Sequence, residues 1–154
     1  MTSDLDLHLS RIIPASPDAV WRCWSEAELL MQWFTPKPVE TVEAVIEPRS
    51  GGRFYTKMQL PDGTEIASEG CVLAADPGRL LSFTDALGAG YRPTGTGFMT
   101  AIVTFDPVAE GTRYSAMVLH ATLEERARHE EMGFHEGWGA AADQLADLAK
   151  KISG

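Results

Sequence analysis

The sequence predicts an α+β protein in which an antiparallel sheet packs against one long C-terminal helix. After Gly133, apolar side chains recur at spacings of three and four, which places them on one face of a helix. These residues are Phe134, Trp138, Ala141, Leu145, Leu148 and Ile152. Before that helix, turn signals divide a run of β-rich segments, and strands followed by a helix are typical of the α+β class.

The first forty residues predict one strand and two short helices. Leucines alternate with polar residues from Leu5 to Leu9, as in a strand with one buried face. Ser16 and Pro17 suit the cap and the first position of a helix. The Ser-Glu-Ala-Glu segment at 25–28 fits a capping box that opens a second short helix before the prolines at 36 and 38.

The residues from about 40 to 121 predict six strands joined by turns such as the one at 61–63 (Pro-Asp-Gly). The strands are Val42 to Ile46, Arg53 to Leu60, Thr64 to Ala74, Arg79 to Asp85, Phe98 to Phe105 and Thr112 to Ala121. The glycine-rich segment 87–97 between the fourth and fifth of them predicts a loop. The whole order is β-α-α-β6-α, and we expect residues 1–154 to form a single domain. A sheet of this size curls, and the long helix fills its concave side.

Glycines in the first half of the C-terminal helix predict an open space beside it. Gly133, Gly137 and Gly139 stand in or beside its first turns, and a glycine inside a helix costs about 1 kcal/mol relative to alanine. Glycine is retained where backbone or a ligand must come close, or where the helix must bend. This half of the helix is therefore expected to lie over a partly open space.

Composition and charge exclude several classes of function. The chain has 13 basic and 22 acidic residues and a net charge of −9, which argues against a nucleic-acid or anionic-membrane partner because both need a basic surface. The N-terminus has no secretory signal pattern and no apolar run reaches the length of a membrane span, so we expect a cytoplasmic protein. Cys23 and Cys71 lack CxxC spacing and are predicted to be free, buried thiols.

Seven short motifs then stand in a recognisable order along the chain. They are Arg11-Ile12-Ile13-Pro14-Ala15-Ser16-Pro17 with Val20-Trp21, Trp33-Phe34-Thr35-Pro36, Gly51-Gly52-Arg53-Phe54, Pro61-Asp62-Gly63, Gly70-Cys71-Val72 with Pro77-Gly78-Arg79-Leu80, Gly111-Thr112-Arg113-Tyr114, and Gly137-Trp138. Over roughly residues 8 to 150, the chain resembles the START-like (SRPBCC) superfamily and, within it, proteins similar to the heat-shock-protein-90 ATPase activator homologue. One departure is Phe34, which stands where the family commonly has Trp.

The resemblance implies a helix-grip fold, in which a curved antiparallel sheet grips the long C-terminal helix and two short helices close one end. In many relatives the cavity between helix and sheet binds hydrophobic small molecules. Other members are cyclases or related enzymes, and a few act on a chaperone. The fold therefore does not decide the function.

The candidate ligand-binding residues lie on elements expected to surround the helix–sheet space. They are Trp33, Phe54, Met58, Phe83, Asp85, Tyr91, Phe98, His120, Phe134 and Trp138. Alternation along the second predicted strand of the meander turns Phe54 and Met58 inward. Two tryptophans of the first helix, at 21 and 24, are instead expected to be plain core.

Several of these residues have a competing interpretation. Tyr91 and Phe98 belong either to a lid over the cavity mouth or to an exposed loop. Asp85 is either a base or hydrogen-bond acceptor at the rim or an aspartate that ends a strand in water. The histidines, among them His120 and His129, show no set of three convergent ligands, so we predict no metal site and no cofactor. They are expected to lie at the surface or at the cavity edge.

Three functions follow from these observations. The first is binding of a small, mainly hydrophobic molecule. The second is a cyclase- or hydrolase-like enzyme, which needs a titratable residue in the cavity, although no catalytic motif with a required spacing assigns one. The third is a chaperone-ATPase-activator-like interaction module, which needs an exposed apolar patch. A homodimer and a chaperone partner are implied by the resemblance and stay open.

Overall fold

The computed structural model describes residues 4–153 and has the predicted α+β architecture. Its strands are β1 (Asp6–Ile13), β2 (Glu40–Ile46), β3 (Arg53–Gln59), β4 (Glu65–Asp76), β5 (Leu80–Thr84), β6 (Leu87–Gly88), β7 (Arg92–Pro93), β8 (Thr100–Val108) and β9 (Gly111–Leu119). Its helices are α1 (Pro17–Ser25), α2 (Ala27–Leu30), α3 (Leu123–Glu131) and α4 (Phe134–Ser153).

Seven strands form one antiparallel sheet in the order β1-β9-β8-β5-β4-β3-β2. The sheet is a meander to which β1 adds at the far edge, beside the last strand. This arrangement with a long C-terminal helix is the helix-grip fold that the sequence predicts. Among the described residues, no helix is long and apolar enough to cross a membrane.

Hydroxyl side chains cap two helices, and one predicted cap fails. The Ser16 hydroxyl accepts a hydrogen bond from the Ala19 amide at 3.1 Å, and the Thr122 hydroxyl caps α3 in the same way. The capping box expected at Ser25 is wrong, because α1 runs through that residue and the N-cap position of α2 is Glu26, which makes no side-chain cap.

The predicted loop between β5 and β8 is partly ordered into regular structure. Its β6 and β7 form a separate two-stranded ribbon around a short 3₁₀ turn, Ala89–Tyr91. The ribbon forms because Gly90 adopts a positive φ of 72°, which lets the chain reverse within the turn. The correction matters for the site, since the ribbon carries Tyr91.

The core lies between the sheet, α1 and α4. Fully buried aliphatic residues of α4, such as Leu145, pack in it, and Trp21 of α1 meets Phe105 edge to face at 5.9 Å. Both cysteines are free and buried, as predicted. Burial raises the pKa of the Cys23 thiol to about 11, so this cysteine is not a nucleophile at neutral pH.

Candidate functional site

A cavity of about 370 Å³ lies under the first half of α4. Its wall comes from α1, the segment that follows α2, β3, β9, the end of α3 and the first turns of α4. Most of this wall is aromatic or sulfur-containing: Trp24, Trp33, Phe34, Tyr114, Phe134, Trp138, Met58, Met99 and Met132. The space is where the glycine content of the helix predicts an opening.

The turn between α3 and α4 builds one side of the cavity. Gly133 has a φ of 91°, a left-handed conformation that favours glycine, and it redirects the chain between the two helices. This turn brings His129, in the last turn of α3, to 5.1 Å from the ring of Phe134 and 6.4 Å from that of Trp138. Gly133 and Gly137 themselves line the cavity.

Hydrogen bonds from α4 fix the opposite side. The Gln144 amide nitrogen donates to the carbonyl oxygens of Trp33 and Thr35, at 3.0 and 2.8 Å, and its oxygen accepts from the Lys37 amide at 3.0 Å. The indole of Trp33 in turn donates to the Cys23 carbonyl at 2.9 Å. The segment 33–37 is therefore tied to α4 and to α1, which makes this wall rigid. Gln144 is not among the predicted site residues, and no motif marks it.

An aromatic cluster forms the floor. The Trp24 ring lies 5.0 Å from Trp33, 5.8 Å from Phe34 and 5.6 Å from Phe83. Behind it, Phe54 and Phe83 stack in parallel at 4.2 Å. The prediction that Trp24 is core is confirmed by its 1% exposure, but the same residue also lines the cavity.

Two polar groups lie on this floor, and one of them lacks a hydrogen-bond partner. Among the described residues, the Trp24 indole N–H is buried without a hydrogen-bond acceptor of normal geometry. The neighbouring Tyr114 side chain is 2% exposed, and burial raises the pKa of its phenol, while the Trp24 N–H beside it lowers that pKa. The floor thus presents an unsatisfied indole N–H and a buried phenol in an apolar setting.

A buried histidine pair stands at the α3 side. His120 Nδ1 lies 2.9 Å from the Leu5 carbonyl, and its Nε2 lies 2.9 Å from Nδ1 of His129. Because a carbonyl only accepts, Nδ1 of His120 must carry a proton. When both rings are neutral, His129 then donates through Nδ1 and keeps a lone pair on Nε2. This nitrogen has no partner among the described residues, on a ring that lines the cavity.

Burial is the main reason why the pKa of His129 is lowered to about 4, with a further lowering by His120 and an opposing effect of Asp85. The imidazole is therefore neutral at pH 7 and offers an acceptor rather than a positive charge. His120 and His129 were each expected at the surface or the cavity edge, and their pairing was not predicted, since the two residues lie on different elements. Their exposures are 6% and 7%.

The structure brings four of the ten candidate ligand-binding residues together on the cavity wall: Trp33, Met58, Phe134 and Trp138. Phe54 turns inward on β3, as the alternation predicts, and with Phe83 it supports the floor from behind. Met58 is half-buried at the same face.

Three further candidates gather at a neighbouring depression of about 480 Å³, lined by Asp85, Phe98 and His120. Here the Asp85 carboxylate accepts from the amides of Phe98 and Met99, at 2.7 and 3.1 Å. It therefore holds the chain that enters β8. The Phe98 ring packs against His129 at 4.8 Å, which supports the histidine pair.

Tyr91 is the candidate that lies apart from both spaces. It is 50% exposed on the β6–β7 ribbon, with a φ of 67°, and its ring lies over Gly51. A Cβ on that glycine would approach Tyr91 Cε2 to 3.0 Å. Its aromatic ring thus covers a glycine at the turn before β3.

The described carboxylates and imidazoles do not cluster as a metal site requires. In the part of the chain that the structure describes, no group of three or more His, Cys, Asp and Glu residues is placed to hold a metal ion. Glu69, another carboxylate on the sheet, is exposed and bonds with Arg53.

Comparison with known proteins agrees with this architecture. The family model described as Activator of Hsp90 ATPase homolog 1-like protein matches residues 14–150. The chain belongs to this family. Activator of Hsp90 ATPase homolog 1-like proteins have the START-like fold, which commonly binds hydrophobic ligands.

Solved structures from this fold superpose over nearly the full chain. Protein NE0264 from Nitrosomonas europaea is 42% identical, with a TM-score of 0.95 over 99% of this chain and 98% of its own. A protein from Rhodobacter sphaeroides is 24% identical, with a TM-score of 0.84 over 97% of this chain and 95% of its own. An AHSA1-like protein from Aeromonas hydrophila is 17% identical, with a TM-score of 0.73 over 96% of this chain and 93% of its own. The last two support the fold alone. Among curated proteins, none matches.

Proposed function

We propose that this protein binds a small, mainly hydrophobic molecule in the cavity under the first half of α4. The observation that carries the proposal is the cavity itself, whose 370 Å³ is walled mainly by aromatic rings and methionines. Pockets for small molecules typically measure roughly 300–1,000 Å³ and combine an apolar lining with a few polar groups.

The lining favours binding over catalysis. An enzyme of the cyclase or hydrolase type needs a titratable group in the cavity, and His129 is one. It stands there without a carboxylate, thiol or amine, because the described residues that line the cavity include no Asp, Glu, Cys, Lys or Arg. A neutral imidazole and a phenol suit recognition of a ligand better than a complete acid–base mechanism.

Exposed apolar side chains give little support to a docking surface for a chaperone. Ile12 on β1 and Val45 on β2 are exposed, but these strands are the two opposite edges of the sheet. Leu123 and Met132 lie on and beside α3. These exposed residues lie on separate elements, whereas a protein interface is typically marked by one contiguous apolar patch. The chaperone partner and the homodimer stay predictions.

A fluorescent reporter tests the proposal. N-phenyl-1-naphthylamine is uncharged and brightens in an apolar site, so the wild-type protein should raise its fluorescence saturably. Ala141→Phe, which projects a ring into the cavity, should weaken the reporter at least about tenfold because it removes the volume that the ligand needs.

Ala146→Phe is the matched control, since Ala146 lies on the same helix and does not line the cavity. It should leave reporter affinity within about twofold of wild type, with circular dichroism confirming that both variants are folded. No saturable binding by wild type, or equal losses in the two variants, would contradict the proposal.

A further inference from the structure

The polar atoms of the cavity wall divide into those with protein partners and those without. The Trp33 N–H donates to the Cys23 carbonyl, and the Thr35 hydroxyl bonds with the Val39 carbonyl and with Thr41. Four polar side chains remain, namely Trp24, Tyr114, His129 and the half-buried Trp138. Any ligand that displaces water from the cavity meets these groups.

The unpartnered indole N–H is the most informative of them. Trp24 is 1% exposed, and its ring is fixed by contacts with Trp33, Phe34 and Phe83. Buried N–H groups are nearly always hydrogen-bonded, so one without a partner beside a cavity indicates an acceptor that the cavity receives. Tyr114 places a second donor on the same floor.

The charge of the lining restricts that acceptor. Among the described residues, no Lys or Arg lines the cavity, and no Asp or Glu does. Burying a carboxylate or an ammonium without an opposite charge is costly. The acceptor that fits Trp24 and Tyr114 is therefore an uncharged oxygen, as in a ketone, aldehyde, ester or ether.

We propose that the cavity selects uncharged apolar molecules with a carbonyl or ether oxygen, which accepts hydrogen bonds from Trp24 and Tyr114. This inference rests on the proposed binding function and adds the chemical class of the ligand. The aromatic wall holds the hydrocarbon part, and the two donors fix the orientation of the oxygen. A purely hydrocarbon ligand would leave the buried indole N–H of Trp24 without an acceptor.

The proposed preference for an uncharged oxygen is tested by displacing N-phenyl-1-naphthylamine with three naphthalenes. The compounds 2-acetylnaphthalene, 2-ethylnaphthalene and 2-naphthoate share one ring system and differ in the carbonyl and the charge. In wild type, 2-naphthoate should bind at least about tenfold more weakly than 2-acetylnaphthalene, because the lining offers no cation.

Two variants remove the donors. Trp24→Phe deletes the N–H and should weaken 2-acetylnaphthalene about five- to tenfold more than 2-ethylnaphthalene, and Tyr114→Phe should show a selective loss in the same direction. Trp21→Phe is the control, because this tryptophan of α1 packs on Phe105 and does not line the cavity. Thermal unfolding checks each variant, and Tyr114→Phe decides the outcome if Trp24→Phe does not fold.

The outcomes separate the two proposals. If 2-ethylnaphthalene binds wild type and both floor variants weaken the acetyl and ethyl compounds equally, the donor assignment is overturned while the binding function stands. Binding of 2-naphthoate as tight as that of 2-acetylnaphthalene also overturns the inference. If the reporter and all three compounds fail to bind, the binding function fails and the inference fails with it.

Discussion

The two halves of α4 lie on the same sheet but serve different purposes. In the second half, from Ala142 onward, Leu145 and Ala149 are completely buried and Leu148 is 8% exposed. In the first half, glycines alternate with large rings, and a cavity of about 370 Å³ remains beneath them. One helix thus joins a filled region to an open one.

The difference comes from the side chains that each half presents. Leucine and alanine at helical spacing fill the space over the sheet at the density of a protein interior. Trp138 is only half-buried, and Gly137 contributes no side chain at all to the cavity wall. Stability should therefore depend mainly on the second half of α4, and ligand affinity mainly on the first.

The largest expected effect tests this separation in the filled half. Leu145→Ala removes a fully buried side chain, and leucine-to-alanine changes in cores cost about 2–5 kcal/mol. Urea unfolding should show a loss of that size, while the affinity for N-phenyl-1-naphthylamine stays within about threefold of wild type at a temperature where the variant is folded.

Trp138→Ala is the counterpart in the open half. It should cost less stability than Leu145→Ala, since Trp138 is already partly exposed, and it should weaken the reporter more, because it removes a wall of the cavity. Equal effects of the two variants on both measurements would show that the halves are not separate.

Most of the fold could be predicted from sequence patterns, because those patterns are local. Period-two and period-3.6 apolar patterns, the cap at Ser16 and the turn glycines are local signals, and they are read without knowing which elements meet. The failed cap at Ser25 is instructive, because the first helix simply continued through a residue that suits either role.

The site was harder to predict from the sequence, because its groups come into contact only through the tertiary structure. His120 and His129 pair across the end of β9 and the last turn of α3, and Gln144 reaches back to the segment after α2. Nothing in their sequence neighbourhoods indicates these contacts. Trp24 was correctly expected in the core, but whether a buried N–H has a partner depends on three-dimensional geometry.

An effect of intermediate size is the dependence of folding stability on pH through His129, which lines the cavity under the first half of α4. The pKa of His129 falls from an ordinary value near 6.5 to about 4 on folding. The neutral ring is thus favoured in the folded state, and its stabilising contribution is present above pH 6.5 and is lost as pH falls from about 6.5 to 4. Urea unfolding should show a loss on the order of 3 kcal/mol from this group across that range.

Carboxylates also titrate in this pH range, so the contribution of His129 to the free energy of unfolding is isolated by comparing two histidine variants. His129→Gln should be less dependent on pH than wild type between pH 7 and 4.5. His135→Gln should keep the wild-type dependence, because His135 is exposed and its 3.6 Å contact with Glu130 lies at the surface, where such contacts contribute little to stability. A wild-type pH dependence in His129→Gln would contradict the assignment.

The smallest expected effect concerns the glycine that keeps the open half open. Gly137→Ala should raise stability by about 0.5–1 kcal/mol, because alanine is the better helix former and its Cβ would meet only Pro36 Cγ, at 3.9 Å. The same methyl group stands at the cavity wall, so reporter affinity should fall by about two- to threefold.

Gly139→Ala is the control on the same helix, since its Cβ would face Arg11 Nη2 at 2.8 Å. That guanidinium is the far end of a flexible side chain and moves aside, so Gly139→Ala should leave reporter affinity unchanged. If Gly137→Ala gains stability without any loss of affinity, the glycine does not hold space for a ligand, and the open half of α4 needs another explanation.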